Sequence, residues 1–193
     1  MEVSDPSAWQ LGISHGGDLT YCLYVRDRLN IQPDITPRFA AVTPAIAPTA
    51  RLSESKIPEL EAQWTWWWSN RLQSHFEGEQ PHFNEPVLSF PELSGSWELY
   101  ECVTAIAEDG MNWAKQRNRE FFEIFKSTRS HSPSIAELGN RYASAAPFKL
   151  ELTCLPVDEK NAWDIDPGHA FISYQFYSDW KVFIEWLERR LAS

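Results

Sequence analysis

Two arginines, Arg71 and Arg117, fall on stretches whose other residues form apolar helical stripes. A guanidinium held away from water is costly unless it meets an anion, a carboxylate or a route to solvent. Its bland role is a structural ion pair. Its chemical role is a pocket for a small anionic ligand between two helices, because the planar fork recognises such groups. His169 adds an imidazole at the mouth of a strand, and Arg71, Arg117 and His169 form the candidate ligand-binding set. The run Asp164-Ile165-Asp166-Pro167-Gly168-His169 holds two carboxylates and that imidazole, which are metal-ligand types. Asp-Pro-Gly is equally an ordinary turn, and His75 and His82 stand at no recognised ligand spacing. Neither a metal nor another cofactor is expected.

Nucleophilic chemistry finds less support. Ser14-His15-Gly16-Gly17-Asp18 resembles the oxyanion loop of some esterases in its His-Gly-Gly residues only. That chemistry needs a serine on a Gly-x-Ser-x-Gly elbow, which the chain lacks, whereas a turn accounts for both glycines. Cys22, Cys102 and Cys154 each sit in an apolar pattern, which suits inert packing better than a reactive thiolate. No catalytic residue is assigned.

The remaining candidates are aromatic. Trp66 lies opposite the core stripe of its helix, among Ala62, Ser69 and Gln73. Trp186, four residues after Val182, lies off the stripe of the last helix. Trp66, Val182 and Trp186 are candidate interface residues, since aromatic side chains are enriched in interface cores. A formal net charge of −10 argues against nonspecific binding to nucleic acid or to an anionic membrane, and leaves room for a basic partner. Free thiols and no apolar run of spanning length suggest a soluble cytoplasmic protein. The expected role is binding: an inhibitor, an immunity-type protein or a regulatory partner, acting on a protein partner or as a homodimer. The alternative is a small-molecule binder or cryptic enzyme built on the Arg71, Arg117 and His169 pocket.

These side chains need elements to hold them. With 193 residues, 43% of them hydrophobic, the chain can fill one domain spanning 1–193. Trp9 to Ile13 and Leu19 to Val25 read as strands joined by the His-Gly-Gly turn, and Arg38 to Val42 as another. The prolines within 30–49 mark connectors. Ile57, Leu60, Trp64, Trp67, Trp68 and Leu72 share a helical face. Ser96 to Lys126 keeps one phase and predicts a single long helix, with Gly110 admitting a close neighbour; a bend at Gly110 is the rival. Ser134 to Ala145 predicts a shorter helix. Pro147 to Val157 alternates like a strand with one wet face and is expected to pair antiparallel with a strand from His169 to Phe176. Ser178 is expected to cap a last helix striped with Trp180, Phe183, Ile184, Leu187 and Leu191. The expected fold is α+β: an antiparallel sheet of about four to five strands with four helices packed mainly on one face.

Overall fold

A computed structural model describes residues 10–49, 53–77, 93, 95–128, 135, 137–138, 141 and 149–192. Trp9, most of the 78–91 loop and most of the 134–145 helix expected from the sequence lie outside these residues. Ile135, Glu137, Leu138 and Arg141, which are described, are helical.

The fold is α+β, but the sheet is mixed and mostly parallel rather than antiparallel. Its four strands are β1 (Gln10–His15), β2 (Lys149–Leu155), β3 (Ala162–Asp166) and β4 (His169–Ser173), in the order β1-β2-β4-β3. β1 and β4 both run parallel to β2, and only β3 is antiparallel, to β4. Six helices with defined ends, not four, accompany the sheet among the described residues: α1 (Gly17–Leu29), α2 (Ile57–Phe76), α3 (Trp97–Ala105), α4 (Ala107–Thr128), α5 (Tyr174–Ser178) and α6 (Trp180–Leu191).

The chain forms two compact units, one from 1–16 and 118–193 and the other from 17–117. In the sheet unit, Leu150, Leu152 and Cys154 of β2 share a core with Ala170 and Ile172 of β4, Phe121 of α4, and Phe183 and Leu187 of α6. Alternation along β2 suggests a wet face at Lys149, Glu151 and Thr153, but Thr153 is only 2% exposed. Its register partner Phe171 is buried too. A strand covered on both faces is what parallel pairing requires. The expected β2–β4 hairpin is therefore replaced by a parallel pair. The connection between them contains β3, which the sequence analysis treats as loop, and β3 turns at Pro167-Gly168 into β4.

β4 ends at Ser173, three residues earlier than expected, because Ser173 caps α5. Its Oγ accepts from Phe176 N at 3.1 Å and from Asn161 N at 3.2 Å. α6 is capped by Asp179, not Ser178: its carboxylate accepts from Val182 N at 3.3 Å and meets Lys160 Nζ at 2.5 Å.

In the helical unit, the segment expected to be a second strand, Leu19 to Val25, lies within helix α1. Gly17 opens that helix at φ 41°, a conformation that glycine adopts without penalty. Every residue from Leu19 to Arg26 is buried, so α1 carries no polar face and no helical periodicity. Asn30 closes it in the left-handed region, φ 53°, with Ile31 N donating to Arg26 O. Trp64 of α2 donates from Nε1 to Cys22 O at 2.9 Å, and Tyr24 packs against Trp113 of α4. Arg38 to Val42 forms no strand beyond an isolated bridge at Val42. Side chains fix that stretch instead: Arg26 donates to Phe39 O and Ala40 O, and Asp27 accepts from Val42 N.

The single long helix predicted over Ser96 to Lys126 is two. The break falls at Ile106, φ −111° and ψ 7°, four residues before Gly110. Gly110 is helical, and a Cβ there would stand 2.5 Å from a Tyr21 ring carbon and 2.8 Å from a Tyr24 ring carbon. The close approach inferred for it is present, and the bend is elsewhere.

Candidate functional site

The three proposed ligand-binding residues each have local surroundings of their own. Arg71 on α2 meets Asp18 of α1, Nη1 to Oδ2 at 2.9 Å, with both side chains largely buried. Arg117 on α4 is buried, its guanidinium 5.5 Å from the centroid of the Trp113 ring. His169 at the start of β4 pairs through Nδ1 with the Asp166 carboxylate at 2.9 Å. Hydrogen bonds from His169 and from Gly168 N hold the Asp166 carboxyl below its usual range, against a larger opposing effect of desolvation. Arg71 and Arg117 belong to the helical unit and His169 to the sheet unit.

The hairpin carrying His169 has a structural tie as well. Arg190 of α6 bonds the Asp164 carboxylate and donates to Asp166 O at 2.5 Å. Among the described residues, no three His, Cys, Asp or Glu side chains converge so as to hold a metal ion. In the His-Gly-Gly segment, Gly16 N donates to Cys154 O at 3.0 Å, and His15 packs edge-on against Phe121 and Phe122. Burial lowers the His15 pKa, which keeps the ring neutral. Cys154 is fully buried and its thiol is pushed up; burial also raises the Cys102 thiol. Neither has the electropositive setting of a nucleophile.

The candidate interface residues divide. Trp186 is half-buried, edge-on to Phe176 and tilted against Phe183, with the Arg190 guanidinium 5.6 Å from its ring centroid. Val182 packs partly against the same core. Trp66 is 47% exposed on α2. A second exposed indole, absent from the sequence candidates, accompanies it: Trp97, 62% exposed, opens α3 and stacks on Tyr100 at 6.2 Å and 27°.

Gln63, one turn before Trp66, ties the two helices beside these rings. Its Oε1 accepts from Leu99 N at 3.0 Å, and its Nε2 donates to Glu98 at 3.0 Å and to Glu59 at 3.3 Å. The Gln63 hydrogen bond is the main cause of a lowered Glu98 pKa, so that carboxylate is ionised at neutral pH. The result is an aromatic surface edged by Glu59, Glu98 and Glu101, with Lys56 as the nearby cation. The signal available in the sequence was Trp97-Glu98-Leu99-Tyr100 itself: with Leu99 inward, Trp97 must face away.

Compared with protein-family models, curated proteins and solved structures, the chain matches none. No helix among the described residues is long and apolar enough to cross a membrane.

Proposed function

We propose that this protein works by binding a protein partner, as an inhibitor or regulatory subunit would, and that its docking surface is the aromatic face of α2 and α3. The observation carrying this reading is the exposure of Trp66 and Trp97 on two helices bridged by Gln63. Indoles are large, rigid side chains that gain much on leaving water, and they dominate binding energy at interfaces. Exposed apolar surface on a polar rim is the usual form of such a site. The rival pocket of Arg71, Arg117 and His169 would have to compete with Asp18 for Arg71 and with Asp166 for His169.

The test is affinity capture from cells of the source with the native chain and with Trp66→Ser/Trp97→Ser, followed by quantitative mass spectrometry. The expected result is a discrete protein recovered in near-stoichiometric amount by the native chain and lost with the double variant. Identical recoveries for both, or no enriched protein, would sink the reading.

A further inference from the structure

The same face carries information about what it meets. Resting on the interaction reading above and deepening it, we propose that the partner presents a basic segment, one arginine of which lies on the Trp97–Tyr100 rings with its guanidinium directed at Glu98. Three observations name this occupant. The Trp97 and Tyr100 rings stack on each other on the exposed side of α3, presenting an extended aromatic surface. A guanidinium is planar, weakly hydrated for a cation and attracted to such a surface, more so than an ammonium. Gln63 Nε2 draws Glu98 and Glu59 to one amide nitrogen, so two carboxylates stand at the edge of the aromatic surface and offer oxygens for a forked donor. The charge around the face is of one sign, Glu59, Glu98 and Glu101 against Lys56. A second copy of this acidic chain would bring like charge to like charge, and so would nucleic acid.

The probe is a fluorescein-labelled peptide of alternating Arg and Ser, with a Lys-Ser peptide beside it, titrated with the full chain and read by anisotropy at roughly physiological salt. Native protein is expected to bind the arginine peptide more tightly than the lysine one. Loss of the ring in Trp97→Ala should weaken binding by about tenfold. Glu98→Gln should weaken it by about threefold, within the range of a single exposed charge pair. Glu123→Gln removes the same charge from an exposed pair with Lys126 in the other unit and should leave binding unchanged. Circular dichroism confirms that each variant is folded. If Trp97→Ala binds like native, or Glu123→Gln weakens binding as much as Glu98→Gln, the attraction is diffuse and the arginine site is refuted. A native dimer by light scattering that dissociates in Trp97→Ala would overturn it in favour of a second copy. A captured partner that depends on Trp66 and Trp97 but is not displaced by the arginine peptide would end this proposal and leave the interaction reading standing.

Discussion

Replacing Gly110 with alanine sets two effects of opposite sign against each other, and the structure decides which wins. Gly110 is inside α4, where alanine is favoured by about 1 kcal/mol over glycine. On propensity alone, Gly110→Ala stabilises. The new methyl group, however, would lie 2.5 Å from Tyr21 Cε2, 2.8 Å from Tyr24 Cε1 and 2.9 Å from Tyr24 Cδ1. These atoms belong to rings that are almost fully buried and stacked on each other, so they cannot swing away as a flexible chain end would. Tyr24 is also backed by Trp113, and Tyr21 by Trp67. Forcing a methyl into such packing costs about 1–3 kcal/mol, and here the upper half of that range applies because two rings must move. The expected net loss is about 1–2 kcal/mol, equivalent to a fall in Tm of roughly 3–6 °C for a chain of this size. Urea unfolding followed by tryptophan fluorescence measures it as a lower midpoint at unchanged slope. Gly95→Ala is the control, since nothing lies within 4 Å of the added carbon. Trimming Tyr24 to leucine should relieve part of the cost, so the double variant should be less than additive. A Gly110→Ala protein more stable than native, by about the propensity difference, would refute the argument from close approach.

Other outcomes follow from buried groups. Because burial depresses the His15 pKa, the unfolded chain takes up a proton near its ordinary value of 6.5 that the folded chain refuses; stability attributable to His15 is full above that pH and declines as pH falls through and below it. Comparing urea midpoints of native protein and His15→Gln at pH 7.5 and pH 5.5 checks this, and an equal pH response in both would count against it. Asp27→Ala removes the carboxylate that faces the buried Arg26 guanidinium at 2.6 Å and accepts from Val42 N; a loss of about 3 kcal/mol is expected, with new proteolytic cleavage in 31–49. Ser173→Ala strips one buried acceptor from both Asn161 N and Phe176 N and should cost about 1–3 kcal/mol by chemical denaturation.

What the sequence made legible tracks how asymmetric each element's surroundings are. α2 and α6 have one covered side and one wet side, so the Leu60-Trp64-Trp67-Trp68 and Phe183-Leu187 stripes are visible in the residues alone. α1 is covered all round, and its Thr, Tyr and Val content imitates a strand. β2 misleads differently: Lys149 and Glu151 mark a polar face only at its entry, while Thr153 further along is buried. Strand direction was illegible because hydrophobic alternation is the same in parallel and antiparallel pairs; only the partner's identity, 139 positions away for Gln10 and Lys149, settles it. The break at Ile106 left no mark because the apolar phase continues across it. For the candidate site, Trp66 was legible by its angle on α2, and Gly110 by its place on an apolar face. Trp97 was passed over because at the first position of a helix no preceding turn reveals which side it faces.

The pairing of β1 with β2 also sets an order of events during synthesis. The helical unit is contiguous, 17–117, so its chain is complete long before Lys149 is made. β1 cannot enter its sheet until 139 further residues, from Gln10 to Lys149, have been added, a wait of roughly 7–28 s at usual translation rates. During that interval its backbone donors and acceptors have no strand beside them. Slow elongation between the codons for residues 117 and 149 would lengthen the wait for β1 without affecting completion of the helical unit, so yield of the native sheet should respond to translation speed in that window.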